Sequence, residues 1–139
     1  MTFLDACALI AVIHGEPAMN RVLAILREES AAMTATNLAE VFDVVARKRG
    51  TAHARIADVV EPLFEGAISL VPVDFGLARR AAEVRTDHYH RKQRALSLAD
   101  ATLLAAPRSG DRIASSDTDV LAIAAELGIE TIELPRSSA

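Results

Sequence analysis

Cysteine and the large aromatic residues are scarce in this chain. Its 139 residues include one cysteine, no tryptophan, one tyrosine and four phenylalanines. The single Cys7 excludes an internal disulfide and suits a reducing compartment. Since 51% of the residues are hydrophobic, the chain can form a sizeable core, and because aromatic residues are scarce, that core must be built from aliphatic side chains. The four histidines are too scattered along the sequence to suggest a zinc site.

Positive charge and a targeting segment are also lacking. The formal net charge of −4 argues against tight, non-specific binding of nucleic acid by the whole surface, although it leaves room for a local basic groove. The first apolar stretch has no basic residue before it and is bounded by Asp5 and His14. We therefore expect neither a signal peptide nor a membrane span, and we expect a cytoplasmic protein.

Short β-like runs alternate with alanine-rich helical runs along the sequence. Alternation of this kind is typical of βαβ units, which place helices on both faces of a parallel sheet. We predict one α/β domain over residues 1–135, a three-layer sandwich with about five parallel strands, followed by a frayed tail over residues 136–139. The predicted strands are Thr2–Leu4, Ala32–Thr34, Ile68–Val73, Arg112–Ser115 and Thr131–Leu134.

Four acidic residues lie at the heads of apolar runs: Asp5, Glu40, Asp100 and Asp117. Asp5 and Asp117 directly follow predicted strands, whereas Glu40 and Asp100 are predicted to lie in the first turns of helices. In parallel α/β proteins, ligands bind at the carboxyl edge of the sheet. We expect Arg85–Leu96 to be extended and to return the chain to that edge, so that all four carboxylates meet there.

Each of these acids also has a purely structural explanation. Asp5 and Asp117 fit helix N-caps, and the segments 37–40 and 97–100 each resemble a capping box. Capping alone would gather acids at one edge, because the helices that follow parallel strands begin there. Convergence is therefore compatible with both interpretations.

Charge balance favours a metal site over caps alone. No Lys or Arg lies within four residues of Asp5, Glu40 or Asp117. Two unit charges ~4 Å apart repel by roughly 4 kcal/mol at an effective dielectric near 20. A divalent cation that prefers carboxylate oxygen, such as Mg²⁺ or Mn²⁺, would remove that repulsion if the side chains converge.

Four segments carry a resemblance to a known family: Leu4–Ala11 (LDACALIA), Thr36–Val41 (TNLAEV), Leu96–Ala105 (LSLADATLLA) and Ile113–Asp117 (IASSD). In this order they resemble a PIN-domain protein, and more narrowly a VapC-type toxin ribonuclease of a bacterial toxin–antitoxin pair. The resemblance implies a parallel α/β sandwich, a Mg²⁺- or Mn²⁺-dependent endoribonuclease, a homodimer and a cognate antitoxin. Cys7 departs from the pattern, which often has Ser or Thr at that position.

By position, the resemblance matches the four acids to the family's acidic residues, and the chemistry agrees. A bound cation would neutralise the scissile phosphate and activate water. We expect Asp5 and Asp100 to be the principal ligands, Glu40 a ligand or general base, and Asp117 a ligand directly or through water. Supporting residues are expected to be Thr36, Asn37, Ser115 and Ser116, with Asp119 as an extra acid nearby.

A substrate RNA needs positive charge outside the acidic centre. The segment from 85 to 94 supplies it, and a solvated basic loop is an equally good alternative. The basic run 47–49 at the end of a predicted helix is interpreted as favourable charge at a helix C-terminus. The RNA-binding candidates are Arg85, Tyr89, Arg91, Lys92 and Arg94, with Tyr89 able to stack on a base.

A homodimer is also expected because the apolar content is high for so small a domain. We expect the antitoxin to insert an Arg or Lys into the acidic pocket. The residues predicted to offer apolar contacts for the dimer are Ala8, Val12, Val22, Leu26, Val44, Val45 and Val59.

Two other interpretations compete with a nuclease. The first is a catalytically idle PIN-like binding module that acts through a partner or RNA. The second is a phosphoacceptor receiver domain, which would need paired acids after the first strand and a Lys near the last one. The chain has Asp5 alone, and its only lysines are Lys48 and Lys92.

Overall fold

A parallel sheet between two layers of helices forms the part of the chain that the computed structural model describes, residues 1–137. The predicted three-layer α/β fold is confirmed. The strands are β1 (Thr2–Leu4), β2 (Ala31–Thr34), β3 (Ile68–Val71), β4 (Arg112–Ser115) and β5 (Glu130–Glu133). The helices are α1 (Ala6–His14), α2 (Met19–Glu28), α3 (Ala35–Arg49), α4 (His53–Val60), α5 (Phe75–His88), α6 (Leu98–Ala105) and α7 (Thr118–Glu126), with a 3₁₀ helix at Glu61–Glu65.

The strand order is β3-β2-β1-β4-β5, with β1 at the centre. From β1 the chain first builds outward through β2 and β3, then crosses back to β4 on the other side of β1. This reversal makes a topological switch point between β1 and β4, where α/β sheets open a crevice at their carboxyl edge. Leu4 and Met33 pack one face of the sheet against the layer of α1–α4. Phe3 and Ile113 pack the other face against α5–α7.

Element boundaries differ from the predicted ones where local chemistry intervenes. β3 ends at Val71 and not at Val73, since Pro72 has no N–H to continue the ladder. The segment predicted to be extended begins inside α5, which runs through His88. That prediction was wrong, because the alanine-rich helix simply continues. Only the residues after it are non-helical, and there His90 and Arg94 form an isolated antiparallel bridge.

The start of α3 also differs from the expected capping box. Thr34 is the N-cap, and its Oγ1 accepts a hydrogen bond from the Asn37 amide at 3.1 Å. Glu40 therefore lies in the second turn of α3 and not in the first. The hydroxyl of Thr34 in turn donates to Asn37 Oδ1 at 3.2 Å, so both polar side chains are tied together inside the core.

Several residues expected at a dimer interface are used inside the monomer instead. Aliphatic residues on consecutive helices form one side of the core, so the faces that looked available in the sequence are mostly covered. For Ala8, Val22 and Val45, which are 0% exposed, the prediction was wrong. Val12, Leu26 and Val44 are half-buried, and Val59 is 51% exposed.

Two further expectations concern the membrane and the tail. Among residues 1–137, no single helix is long and apolar enough to cross a bilayer, although α1 and α2 pass that test of length and composition as a pair bent by 114°. The domain bounds 1–135 stay a prediction. Of the expected tail, Arg136 and Ser137 are described, and residues 138 and 139 lie outside the described part of the chain.

We predict that Thr34→Ala lowers the free energy of unfolding by about 1–2 kcal/mol, because it removes the N-cap of α3 and leaves Asn37 Oδ1 without its donor. Thr34→Ser keeps the hydroxyl and is the matched control, for which we expect a clearly smaller loss. Urea denaturation measures both. Equal losses would mean that the methyl group, and not the cap, stabilises the helix.

Candidate active site

A cleft opens at the carboxyl edge of the sheet, next to the switch point between β1 and β4. Its volume is about 420 Å³. Side chains from α1, α3 and α6 line it, together with residues that follow β1, β4 and β5. The structure brings all four predicted carboxylates to this one cleft. The lining residues are Asp5, Ala6, Cys7, Ile10, Glu40, Val44, Lys48, Asp100, Ser116, Asp117 and Arg136.

Asp5 is the most enclosed of the four acids, with 5% of its surface exposed. It follows β1 and caps α1, since its Oδ1 accepts from the Ala6 amide at 2.7 Å. Its Oδ2 accepts from the Ser115 hydroxyl, also at 2.7 Å. Burial raises the pKa of Asp5 to about 6 despite these two bonds, and the charges of Asp100 and Asp117 add to the rise. The enclosed surroundings of Asp5 therefore disfavour its ionised form.

Glu40 reaches the cleft from α3, on the same helical face as Val44. Burial is the main cause that raises its pKa to about 7, and the charges of Asp5, Asp100 and Asp117 raise it further. The side chain is half-buried. At neutral pH this carboxyl is poised between its protonated and ionised forms.

Asp100 and Asp117 come from the other side of the switch point. Asp100 lies in the first turn of α6, as predicted, and its amide donates to the capping Ser97 hydroxyl at 3.0 Å. Burial and then the Asp117 charge raise the pKa of Asp100. Asp117 caps α7, accepting from the amides of Asp119 and Val120 at 2.8 and 3.3 Å. Asp117 is thus a helix N-cap, as one interpretation predicted, and it also lines the cleft.

The hydroxyl of Ser115 connects two of the acidic positions. It donates to Asp5 and accepts from the Asp117 amide at 3.0 Å, and it is completely buried. Cys7 contacts Ser115 and Ser116, and burial raises the pKa of its thiol to about 11. The thiol is therefore neutral, and Asp5 takes its hydroxyl hydrogen bond from Ser115 and none from position 7.

The remaining supporting candidates lie at different distances from the cleft. Asn37 is buried, and its Nδ2 has no hydrogen-bond partner among the residues that the structure describes. Thr36 is half-buried and does not line the cleft. Asp119 is exposed on α7 and contributes a weak rise to the pKa of Asp100. Ser116 lines the cleft directly.

The donor chemistry of the cleft fits a hard divalent cation. Carboxylate oxygens are the ligands that Mg²⁺ and Mn²⁺ prefer, and a bound cation would favour the ionised forms of Asp5 and Glu40, whose pKa values are raised. Within the described residues, no three acidic, histidine or cysteine side chains are close enough together to form the ligand set of one ion. The four carboxylates are thus the right kind of ligand for such a cation, but they lie too far apart to bind one ion together.

Two basic residues in the cleft, Lys48 and Arg136, were not predicted to be part of it from the sequence. Lys48 belongs to the basic run at the end of α3, and its spacing from Glu40 and Val44 puts it on their helical face. That spacing could have revealed it. Arg136 lies after β5 in the segment expected to be frayed. No local pattern points to it, because only the tertiary fold brings this segment to the cleft.

The predicted RNA-binding segment is partly tied down by other contacts. Arg94 forms two hydrogen bonds with Glu126 at 2.6 and 3.2 Å, and His88 lies 3.3 Å from the same carboxylate. Arg85 donates to the Leu96 carbonyl at 2.9 Å, and its guanidinium stacks on the Tyr89 ring at 4.5 Å. These contacts hold the segment against α7 and the start of α6.

Comparison with known proteins identifies the family. The sequence profile of the PIN domain matches residues 2–127, and no curated protein sequence gives a significant match. Three solved structures with a similar fold are the Mycobacterium tuberculosis VapC20, described as a sarcin-ricin loop cleaving toxin, FitAcB from Neisseria gonorrhoeae, and VapBC2 from Rickettsia felis bound to a promoter DNA fragment.

The likeness to these structures extends over almost their whole length. VapC20 is 20% identical with a TM-score of 0.66, and the match covers 88% of this chain and 94% of that one. FitAcB is 24% identical with a TM-score of 0.66, covering 96% and 97%. VapBC2 is 12% identical with a TM-score of 0.66, covering 96% and 98%. Identities this low show the fold, and the profile match over nearly the whole sequence shows that the chain belongs to the PIN-domain family.

Proposed function

We propose that this chain is a Mg²⁺- or Mn²⁺-dependent endoribonuclease and the toxin of a bacterial toxin–antitoxin pair that acts in the cytoplasm. One observation carries the proposal: four carboxylates from separate segments line a single cleft at the switch point of a PIN-domain sheet. Membership of the PIN-domain family supports a nuclease. The VapC20 toxin and the VapBC and FitAB complexes among the similar structures support a role with an antitoxin.

In this proposal the four carboxylates have different roles in metal binding and proton transfer. Asp5 and Asp100 are the principal ligands, Asp117 is a ligand directly or through water, and Glu40 is a ligand or the general base. When bound, the cation supplies charge neutralisation at the scissile phosphate and a lowered pKa for an attacking water. Ser115 keeps Asp5 oriented, and Glu40 can accept a proton near neutral pH because its pKa is about 7.

RNA is proposed to pass over the segment between α5 and α6. Arg91 and Lys92 are exposed and offer charge to phosphates, whereas Arg94 is already paired with Glu126. Tyr89 is 40% exposed, with its other side covered by Arg85, and Leu98 beside it is 61% exposed. Such a flat aromatic surface next to an apolar side chain suits base stacking, and Leu98 is two residues before Asp100.

We predict that Asp100→Asn abolishes metal-dependent RNA cleavage while the fold is retained. The amide keeps the shape of the side chain but lacks the charge that holds a divalent cation. Cleavage of single-stranded RNA by partner-free protein in Mn²⁺ measures the effect, and Asp58→Asn on α4 is the matched control outside the cleft. Because burial and Asp117 raise the pKa of Asp100, the metal-free variant should be at least as stable as the parent.

Measurements of RNA binding and Mn²⁺ binding, made beside the cleavage assay, separate catalysis from binding. Tyr89→Ala should weaken RNA binding by a few-fold and leave Mn²⁺ binding unchanged, whereas Tyr89→Phe keeps the stacking ring. If the unmodified protein binds RNA but cleaves none in Mn²⁺ or Mg²⁺, the catalytically idle binding module is the correct interpretation. Full cleavage by Asp100→Asn would remove Asp100 from the ligand set.

We predict that the metal-free protein loses stability as the pH rises from 5 to 8. Asp5 and Glu40 have higher pKa values in the folded chain, about 6 and 7, than the ordinary 3.8 and 4.5. The folded state therefore binds more protons in this range, and its advantage disappears as the pH passes through the folded pKa values. For buried Asp5 alone the loss between pH 5 and pH 8 is about 1–1.5 kcal/mol.

Saturating Mn²⁺ should flatten this pH dependence, because the cation binds the ionised carboxylates and stabilises them. Urea denaturation at pH 5 and pH 8, with and without Mn²⁺, measures both effects. Glu40→Gln provides the control, since it removes one of the two titrating groups and should shallow the slope without metal. A stability that increases with pH in the metal-free protein would contradict the assigned pKa shifts.

The proposed antitoxin is expected to place an Arg or Lys in the carboxylate cleft. A guanidinium pairs with two carboxylate oxygens at once and would occupy the space that a divalent cation needs. We therefore predict that Mn²⁺ weakens binding of the cognate inhibitory peptide, as measured by calorimetry at increasing Mn²⁺. A peptide affinity that is independent of metal and unaffected by an Arg→Ala change in the peptide would rule out this mode of inhibition.

A homodimer stays part of the proposal, although not through all of the residues first considered. Leu70, Val73 and Phe75 are 48%, 39% and 86% exposed along β3 and the start of α5, and they leave apolar surface outside the core. Sedimentation equilibrium of the purified chain distinguishes a monomer from a homodimer. A monomer at every concentration tested would remove the homodimer from the proposal.

A further inference from the structure

We propose that Lys48 and Arg136 bind the RNA backbone at the mouth of the carboxylate cleft. This inference rests on the proposed function and adds two substrate contacts to it. Both residues line the cleft together with the four carboxylates, although they are far apart in the sequence. Both are exposed, so a phosphate can reach them from solvent.

Lys48 is directed to the cleft by the periodicity of α3. Glu40, Val44 and Lys48 are spaced four residues apart and all line the cleft, so one face of the helix forms this side of it. At a rise of about 1.5 Å per residue, Lys48 lies roughly 12 Å beyond Glu40 along the helix axis. Lys48 is exposed whereas Glu40 is half-buried, so the lysine lies nearer to solvent than the catalytic candidate does.

Arg136 is brought to the cleft by the chain that leaves β5. The Leu134 amide donates to the Ser115 carbonyl at 2.8 Å, and the Leu134 side chain is 2% exposed. These contacts anchor the chain two residues before Arg136, at the same strand end that carries the hydroxyl bonded to Asp5. The backbone that leads to Arg136 is thereby positioned by the core of the fold.

The two cations are not committed to the neighbouring acids. Over residues 1–137, neither Lys48 nor Arg136 forms an ion pair within 4.0 Å, although four carboxylates share their cleft. Other arginines near acids do pair: Arg47 with Asp43, Arg94 with Glu126 and Arg112 with Glu29. Lys48 and Arg136 therefore keep their charge available for an incoming anion.

Charge balance in the cleft explains why a phosphate would bind there. Four ionised carboxylates exceed the two cations by two negative charges, which one divalent cation neutralises. With the cation at the carboxylates the cleft is neutral overall, so an incoming phosphate no longer meets net negative charge, and the guanidinium and ammonium groups of Arg136 and Lys48 bind phosphate well. A strand that crosses the cleft would then meet positive charge on the side chains of α3 and of the segment after β5.

The test compares Lys48→Gln and Arg136→Gln with Arg49→Gln, a matched control that removes the same charge from an exposed neighbour of Lys48 outside the cleft. A labelled single-stranded RNA of mixed sequence is titrated by fluorescence anisotropy in Ca²⁺ over a range of salt concentrations. Denaturing gels check that the RNA stays intact. Mn²⁺ affinity and KM and kcat for cleavage are measured on the same variants.

For each cleft variant we expect an affinity loss of roughly three- to tenfold and a salt slope that is shallower by about 0.7, the change for one lost phosphate contact to a single strand. KM should rise more than kcat falls, and Arg49→Gln should behave like the parent. If the cleft variants match Arg49→Gln, or if they bind Mn²⁺ more tightly with unchanged RNA affinity, the inference is wrong.

Higher activity of Arg136→Gln would also overturn the inference, since it would identify the arginine as an internal inhibitor of the cleft. Failure of the underlying proposal looks different. In that case the unmodified protein neither binds nor cleaves RNA, and the variants have no parent signal to reduce. Binding by the parent that is lost only in the cleft variants supports both proposals together.

Discussion

The buried hydrogen bond between the Ser115 hydroxyl and Asp5 is the contact on which the cleft depends. It joins the carboxyl ends of β1 and β4, the two strands that meet at the switch point of the sheet. The same hydroxyl accepts from the Asp117 amide, and the carbonyl of Ser115 accepts from the Leu134 amide. One serine therefore sets the position of an acid, the start of α7 and the course of the chain that carries Arg136.

Local and collective electrostatics act in opposite directions at this edge. Each helix that begins here is stabilised by an oxygen at its N-terminus, and for α1 and α7 that oxygen belongs to an aspartate. The parallel sheet places these helix starts side by side. Each acidic side chain stabilises its own helix start, but the carboxylates repel one another. Burial then raises the pKa of Asp5, Glu40 and Asp100 because the charged forms have lost water. The carboxylates in the cleft repel one another until positive charge binds between them.

Prediction from sequence succeeded where the information is local. Buried runs marked the central strands β1 and β4, and Ser97 with Asp100 marked the start of α6. Glu40 was placed one turn too early because the cap is Thr34, the last residue of β2, and sequence does not distinguish a strand end from a cap. Arg94 looked available for RNA because Glu126, its partner, is 32 residues away. Arg136 depends on the path of the chain after β5, which only tertiary packing determines.

The separation between acids and cations in the cleft has a chemical consequence. Had Lys48 or Arg136 closed on the carboxylates, the repulsion would have been relieved within the protein, and no external cation would be needed. Unpaired, they leave that repulsion in place, and in the proposed function they would offset part of the negative field that an RNA phosphate meets on approach. The proposed cleft would therefore attract two kinds of ligand, a cation at the carboxylates and an anion at the two basic side chains. Adding positive charge deeper in the cleft would stabilise the fold and weaken binding of the cation.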